Sequence, residues 1–343
     1  MVEELKRRSE QGEVNMLEFY QEFTLDVICK IALGQKDVEM FKNPLIDLCR
    51  QVFSAPQSYM FTNTVIFMPF IKKPLLFLLG KLARYRKHPY VKLMRDVGLE
   101  VEQRKNAREA GASSSGDFID IFLDAEVESN DLEESKVGHH HVSRKLLFDE
   151  IVSLCLVMLL GGFETTANSL SYLTHFLANH PEVQEKIYEE VQAIFPNETI
   201  NYEDLSELKY TEAAIKESLR HYPLGSVGVT RECQKRTTIG GMQLEVGDNI
   251  LTDTWSLHKD KTIWGEDAEE FRPERWLEDS SRPRVAFQGF GEGPRMCIGI
   301  RLAFMEEKTA IAHLLKNFRI KKSANTNPIK LVGTITVAPE KVN

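Results

Sequence analysis

The sequence of 343 residues predicts a mainly α-helical protein with a minor β region. Long stretches carry apolar residues at helical spacing, and glycine or proline closes many of them. Strand-like segments appear only after residue 229. Because no internal repeat and no clear linker divides the chain, we expect a single domain over residues 1–343.

The predicted helices follow one another along the chain. The first covers residues 16–33 and ends at Gly34, as a C-terminal glycine typically ends a helix. Further helices are predicted over residues 75–108 with a break near His88, 117–127, 146–179, 182–195, 202–208, 210–221 and 298–318. Residues 151–160 are apolar nearly all round, so this part of the longest helix should run through the core.

The connecting segments are predicted from their turn residues. Residues 129–143 are polar and are interpreted as a loop. Residues 230–249 contain strand-like pieces separated by Gly240-Gly241 and Gly247-Asp248, which are turn signals. The β region should therefore be small and built from short strands.

Composition excludes several function classes. A net charge of −8 and a pI near 5.7 argue against a nucleic-acid-binding protein. The five cysteines are odd in number and form no C-x-x-C pair, which argues against a disulfide scaffold or a zinc knuckle. Residues 59–79 are the most apolar stretch, but prolines and lysines interrupt it too often for a membrane span. Peripheral membrane contact and burial in the core both remain open for this stretch.

The most informative segment is residues 290–299, which places Cys297 at the predicted start of the last helix, just after several glycines. A helix N-terminus favours an anionic sulfur, glycines allow a close backbone approach, and Arg295 could pair with an anionic group. A buried structural cysteine, a nucleophile and a thiolate ligand to a metal or heme are the competing interpretations. A dinucleotide-binding loop is rejected because Pro294 stands where G-x-G-x-x-G needs glycine.

The same segment resembles the heme-binding signature of the cytochrome P450 family, F-x-x-G-x-R-x-C-x-G. The five fixed positions are Phe290, Gly293, Arg295, Cys297 and Gly299. The resemblance implies heme b as cofactor, with Cys297 as the thiolate ligand of its iron and Phe290 shielding the sulfur. It further implies that Arg295 binds a heme propionate and that Gly291 and Gly299 belong to the cofactor-binding loop.

Two further motifs resemble the same family. Glu217 and Arg220 share a helix face, and such a pair is usually a weak surface salt bridge. The family's E-x-x-R pairs instead with an arginine of a later P-E-R-[FW] segment, which implies a buried network with Arg275.

The segment from Gly161 to Thr166, G-G-F-E-T-T, matches the family's [AG]-G-x-[DE]-T-[TS] motif within the longest predicted helix. Paired glycines in a helix indicate a local distortion, close approach of a ligand or close helix packing. The resemblance implies that Glu164 and Thr165 form an acid–alcohol pair that delivers protons during oxygen chemistry.

The remaining polar candidates carry weaker signals. Arg231 follows the apolar segment 224–229 and resembles the family's second propionate-binding residue, whereas a surface arginine is the alternative. His258 fits the family sequence but is expected to be a hydrogen-bonded structural histidine. The histidines at positions 139–141 are expected to lie in a solvated loop rather than to bind a metal.

The resemblance covers roughly the whole chain and implies a heme-thiolate monooxygenase of the microsomal type. Such an enzyme inserts one atom of O2 into an apolar small molecule, with electrons from NADPH through an NADPH-cytochrome reductase. The expected location is the cytosolic face of the endoplasmic reticulum membrane. The reductase is expected to dock on the Cys297 face, where Arg295, Arg301 and Lys308 could offer positive charge.

The resemblance begins partway into the family fold. No segment resembles the family's N-terminal anchor, its first strands or its W-x-x-x-R motif. The alternative hypothesis is therefore a truncated, non-catalytic remnant that binds heme weakly or acts as an interaction partner. A zinc or cysteine hydrolase is the third hypothesis, which metal analysis would test.

Overall fold

The structure is a computed structural model that describes the chain except for residues 36–37, 55–73, 75–76, 79–80, 82–87, 127–133, 138–139, 144, 198, 226–229, 279–280, 327 and 334–335. Its residues group into two compact units. The larger unit comprises Met1–Tyr20 and Thr165–Asn343, and the smaller unit comprises Gln21–Glu164. The expectation of one domain over residues 1–343 stays a prediction.

Helices make up most of the described residues, which confirms the predicted fold class. They are α1 (Val2–Ser9), α2 (Met16–Ala32), α3 (Ile46–Ser54), α4 (Pro89–Glu109), α5 (Phe118–Leu123), α6 (Phe148–Asn179), α7 (Pro181–Ile194), α8 (Lys209–His221), α9 (Thr254–Lys259), α10 (Lys261–Trp264) and α11 (Ile300–Asn317). Short 3-10 turns span Glu203–Glu207, Pro273–Trp276, Arg284–Ala286 and Gly293–Arg295. The apolar stretch 59–79 lies mostly outside the described residues, as does the first part of the helix predicted over 75–108.

The strands of the described residues form small antiparallel pairs. They are β1 (Glu134–Val137) with β2 (His140–Ser143), β3 (Thr230–Glu232) with β6 (Asn249–Leu251), β4 (Thr237–Ile239) with β5 (Met242–Leu244), and β7 (Leu331–Val332) with β8 (Ala338–Pro339). Ile239 pairs with Met242 across Gly240 and Gly241, whose φ angles of 55° and 82° suit a tight hairpin turn. Here the predicted turn signal is confirmed.

The interpretation of residues 129–143 as a loop is wrong for their described part. Residues 134–137 and 140–143 form the antiparallel pair of β1 and β2, with Val137 opposite His140. The polar composition of this segment predicts a loop, but it also contains a weaker strand signal. That signal is the pair of β-branched residues Val137 and Val142, one on each side of Gly138 in the sequence. His139 lies outside the described residues, and the other two histidines of the run, His140 and His141, belong to β2.

Aromatic stacking organises the core of the larger unit around the second part of α6. The ring of Tyr172 stacks on Tyr222 at 4.5 Å between centroids, and Phe176 stacks on Phe271 at 4.1 Å. The hydroxyl of Tyr20 shares a hydrogen bond of 2.7 Å with Thr174. These contacts fix α6 against the segments that follow α8.

In the smaller unit, the first part of α6 is not buried all round as the sequence predicts. Ile151, Cys155 and Leu159 are buried, but Val157 is 62% exposed and Ser153 is also exposed. Among the described residues of this unit, no side chain covers Val157 well, so this part of α6 has one open face. An all-apolar segment predicts burial only when other parts of the protein pack on every side.

Candidate functional site

The cysteine loop is the segment from Phe290 to Gly299 in the larger unit, and backbone hydrogen bonds close it. The N–H of Cys297 donates to the carbonyl of Phe290 at 2.9 Å. α11 begins at Ile300 with Gly299 as its N-cap, two residues later than predicted, so Cys297 lies just before the helix. The Cys297 side chain is exposed, whereas the other four cysteines are buried. The loop therefore presents one thiol outward beside a helix N-terminus.

Glycines give this loop its conformation. Gly291 and Gly293 have φ angles of 71° and 80°, a region that residues with a Cβ rarely adopt. A Cβ on Gly293 would meet no atom within 4 Å, so backbone conformation rather than packing requires glycine there. A Cβ on Gly299 would lie 3.9 Å from the Cys297 sulfur. The sulfur therefore sits directly against the helix start.

The chain leaves the surface around the thiol apolar and uncovered. Ile298 is 82% exposed and Met296 is 42% exposed, on either side of Cys297. The Phe290 ring packs on Phe304 of α11 at 5.1 Å between centroids. A run of exposed apolar side chains beside an exposed thiol fits a bound flat apolar group better than it fits open solvent.

Behind the loop, the E-x-x-R and P-E-R-W motifs meet in a buried ion network. Glu217 accepts from Arg220 Nη2 at 2.9 Å and from Arg275 Nε at 2.8 Å, and all three side chains are at most 1% exposed. Trp276 Nε1 also donates to Glu217 at 2.9 Å. The predicted network with Arg275 is thereby confirmed, and the weak surface salt bridge is excluded.

Electrostatics keep this carboxylate charged despite its burial. Burial by itself raises the pKa of Glu217, but the neighbouring His221, the hydrogen bonds from Arg220 and the charge of Arg275 outweigh it. The net result is a pKa far below 4.5. The Glu217 carboxylate is therefore charged at neutral pH, and the network is a buried ionic element.

Arg231 and Arg295 differ in their local setting. Arg231 belongs to β3, opposite Ile250 of β6, and its exposed guanidinium donates to the Thr230 carbonyl at 2.9 Å. Arg295 ends the 3-10 turn of the cysteine loop and is also exposed. Both arginines can therefore reach an anionic group, and their assignment to propionates stays a prediction.

The two glycines of the G-G-F-E-T-T motif serve different purposes. A Cβ on Gly162 would lie 2.7 Å from Ile28 of α2, so close helix packing requires this glycine. Among the described residues a Cβ on Gly161 would meet nothing within 4 Å, and Gly161 lies on the same open face of α6 as Val157. α6 continues without a break through both positions, so the local distortion is not seen.

The two residues of the acid–alcohol pair, Glu164 and Thr165, lie within α6 shortly after the paired glycines. The Glu164 side chain is 7% exposed, and Thr165 is half-buried one residue later. A carboxyl group next to a hydroxyl can pass protons between a buried site and its surroundings. The role of this pair stays a prediction.

Sequence reasoning missed a pair of buried carboxyl groups on α11. Glu306 and Glu307 are 6% and 2% exposed, and burial raises the pKa of Glu307 to about 8. The pKa of Glu306 is also raised, first by burial and then by the neighbouring Glu307. Two adjacent glutamates within an otherwise apolar helical face were the available signal.

The expected contribution of Lys308 to a docking surface is wrong. Its ammonium group is buried, donating to Glu212 at 2.6 Å and to the Leu205 carbonyl at 3.1 Å. Lys308 lies on the covered side of α11, whereas Arg295 and Arg301 are exposed. Of these three residues, only Arg295 and Arg301 can offer positive charge to a partner at this face.

Comparison with known proteins matches this arrangement to one family. The family model for cytochrome P450 matches residues 1–342. The chain belongs to the cytochrome P450 family. In Caenorhabditis elegans, CYP13A2 is 40% identical over 351 residues, and CYP13A1 and CYP13A3 are each 42% identical. Each alignment covers all of this chain and 68% or 69% of the relative, and each relative is named as a cytochrome P450.

Membership defines the general chemistry. Cytochrome P450 proteins bind heme b and are monooxygenases that use O2, a redox partner and an organic substrate. The residues of the cysteine loop fit such a group, because the exposed Cys297 thiol stands among uncovered apolar side chains next to an exposed arginine. The chain is therefore a heme-dependent oxidoreductase rather than a zinc or cysteine hydrolase.

One helix of the described residues is long and apolar enough to cross a membrane. It is α6, whose most apolar window of 18 residues has a mean hydropathy of 1.5 and is half buried. Core helices of soluble proteins pass the same test, so α6 is weak evidence of membrane association.

Proposed function

We propose that this cytochrome P450 oxidises apolar small molecules with electrons from NADPH, delivered by an NADPH-cytochrome reductase at the cytosolic face of the endoplasmic reticulum. The observation that carries the proposal is the exposed Cys297 thiol, held by its backbone N–H on the Phe290 carbonyl and surrounded by uncovered apolar residues.

The side chains of the loop have distinct roles in this proposal. When bound, heme b supplies the iron centre that activates dioxygen, and the Cys297 thiolate is its protein ligand. The Phe290 ring packs on Phe304 of α11, and its role in this proposal is to shield the sulfur. Arg295 and Arg231 bind the two propionates as charge-assisted hydrogen-bond donors.

Two glycines shape the cysteine loop, and the G-G-F-E-T-T motif of α6 has a separate role in this proposal. Gly291 turns the chain with a positive φ, and Gly299 lets the sulfur lie against the start of α11. Glu164 and Thr165 would take up a proton from the surroundings and hold it at the threonine hydroxyl, which is the role this proposal gives them. Gly161 leaves the open face of α6 without a side chain at that point.

Electron delivery is assigned to the face that carries the cysteine loop. Arg295 and Arg301 are exposed there, and complementary charge steers a protein partner mainly through the association rate. An acidic docking surface on the reductase therefore suits this face. The apolar side chains around Cys297 and the absence of a basic footprint in the composition argue against nucleic acid as a partner.

Turnover with a defined partner tests the proposal. The full chain loaded with heme b is combined with the reductase in phospholipid vesicles and given NADPH, isotope-labelled O2 and a panel of steroids and fatty acids. We expect one labelled oxygen atom in the product and loss of turnover in Cys297→Ser. Stoichiometric heme binding with no NADPH-dependent product from any apolar substrate would contradict the proposal and favour the non-catalytic alternative.

The docking face is tested by charge reversal. Arg301→Glu should lower the rate at low salt, and the difference from the unchanged chain should shrink as salt rises. Arg319→Glu is the matched control, since Arg319 is an exposed arginine of the same unit that pairs with Glu185 away from the loop. Equal losses in both variants would contradict docking at the cysteine loop.

A further inference from the structure

His258 lies fully buried between the end of α8 and the segment that leads into the cysteine loop. Its Nδ1 is 3.1 Å from the carbonyl oxygen of Arg220, and its Nε2 is 2.8 Å from the backbone nitrogen of Gln288. A backbone N–H can only donate, so the Gln288 N–H requires an unprotonated Nε2. The ring proton therefore sits on Nδ1 and is donated to the Arg220 carbonyl.

A second hydrogen bond joins the same two residues in the opposite sense. Arg220 Nη1 donates to the carbonyl of His258 at 2.7 Å, so each residue's carbonyl accepts from the other's side chain. Arg220 is itself held by Glu217 in the buried ion network. The imidazole is thus hydrogen-bonded to the buried ion network of the larger unit.

Aromatic packing sets the plane of the ring. Phe287 stacks on His258 at 5.4 Å between centroids with an interplanar angle of 15°. A Cβ on Gly289 would lie 2.4 Å from the Phe287 ring, so glycine is needed there to accommodate the stacked phenyl group. The segment 287–289 is therefore shaped to meet the histidine.

Hydrogen bonds continue from this contact to the cysteine. The carbonyl of Gln288, whose N–H is held by His258, accepts from the N–H of Gly291 at 3.1 Å. Two residues on from Gln288, the carbonyl of Phe290 accepts from the N–H of Cys297 at 2.9 Å. The backbone that carries Cys297 is thus anchored at its start by one imidazole nitrogen.

We propose that His258 is a positioning residue, which ties the buried ion network to the cysteine loop and so fixes the place of the Cys297 sulfur. This inference rests on the proposed role of Cys297 as the heme ligand. His258 does not touch the thiol, and it acts through Gln288.

The surroundings keep the anchor in one protonation state. Burial lowers the pKa of His258 to about 4, and the charged or titratable groups that face it are Arg220, Glu217 and His221. Protonation at Nε2 would set two donors against each other at the Gln288 N–H. The neutral ring, and with it the anchor, therefore persists through the physiological pH range.

Two variants that differ by one methylene group separate this role from general support. His258→Gln keeps an acceptor long enough to reach the Gln288 N–H, whereas His258→Asn keeps a donor for the Arg220 carbonyl but is too short for Gln288. The control is His175→Asn, which alters a buried histidine of α6 away from the loop. All variants are made in the full chain loaded with heme b.

Amide hydrogen exchange over residues 287–297 is the first measurement. We expect His258→Asn to speed exchange there by about tenfold relative to the unchanged chain, because the Gln288 donor loses its partner. His258→Gln should restore most of the protection, and His175→Asn should leave this segment unchanged. Equal exchange in the Asn and Gln variants, or no change in either, would overturn the inference.

The Soret band of the reduced, carbon monoxide-bound heme is the second measurement. We expect His258→Asn to lose the thiolate-type band faster on warming than His258→Gln, at matched global stability. If the Asn variant speeds exchange but keeps the band as long as the Gln variant, His258 does not position Cys297 and the inference is overturned. Absence of the thiolate band in the unchanged chain would instead refute Cys297 as the proposed ligand. The exchange data test the contact between His258 and Gln288 independently of that ligand.

Discussion

Glu217 and Arg275 lie 58 residues apart in the sequence, and a hydrogen bond of 2.8 Å joins their buried side chains. The guanidinium of Arg275 also donates to the carbonyls of Trp264 and Asp267, both at 3.0 Å. One arginine thus holds together α8, the end of α10 and the P-E-R-W turn. Removing it would leave a buried carboxylate and several buried carbonyl groups with fewer partners.

Arg275→Met should therefore lower the free energy of unfolding by about 3–5 kcal/mol, as expected when one partner of a buried ion pair is lost. Urea unfolding followed by circular dichroism measures this. Arg272→Met is the control, because the Arg272 guanidinium pairs with Glu278 and Asp267 in a partly exposed position and should cost about 1 kcal/mol or less. Similar losses in the two variants would contradict the structural role of the network.

The neighbouring glycines of α6 should respond in opposite ways to the same substitution. Gly162→Ala forces the Ile28 side chain to shift, so it should lower the free energy of unfolding. The added methyl group of Gly161→Ala would meet no described atom within 4 Å, so this substitution should raise the free energy of unfolding by up to about 1 kcal/mol through helix propensity. Thermal unfolding of the two variants without added heme gives the comparison, and a larger loss for Gly161→Ala would refute the packing argument.

Stability should fall with rising pH because of the carboxyl group of Glu307. Its pKa is about 8 in the folded protein against 4.5 for an ordinary glutamate, so the folded state keeps a proton that the unfolded state releases. The free energy of unfolding should therefore decrease as pH rises from about 4.5 to about 8 and level off above that range.

Glu307→Gln should flatten this pH dependence and stabilise the protein most at pH 8 or above. Urea unfolding measured at several pH values from about 5 to about 9 tests this, because burial can raise the pKa of a carboxyl group by up to about 3–5 units. The exposed Glu203→Gln serves as the matched control and should leave the slope unchanged. An unchanged slope in Glu307→Gln would mean that this carboxyl group is ionised in the folded protein.

Motifs and hydrophobic spacing predicted the helices and the buried ion network, but they did not predict the details of tertiary packing. The E-x-x-R and P-E-R-W segments predict the Glu217–Arg275 contact because both are recognisable in the sequence. His258 was expected to be structural and hydrogen-bonded, and both of its ring nitrogens are engaged. In each case a local pattern carries information about a long-range partner.

What the sequence could not predict depends on which neighbours arrive from elsewhere in the chain. Nothing near Gly162 indicates that Ile28 will pack on it, and nothing near Val157 indicates an open helix face. Lys308 looked available because lysine is usually exposed, but the position of Glu212 allows its burial. These outcomes follow from tertiary packing, which residue type alone does not determine.

The Soret band of the reduced, carbon monoxide-bound protein tests the central claim most directly. The heme-loaded full chain should show the red-shifted band of thiolate-ligated heme. Cys297→Ser should lose that band. The control Cys233→Ser should keep it, because the buried Cys233 thiol donates a hydrogen bond only to the nearby Lys235 carbonyl among the described residues. A thiolate band that survives in Cys297→Ser, or its absence from folded and heme-saturated wild-type protein, would contradict the account.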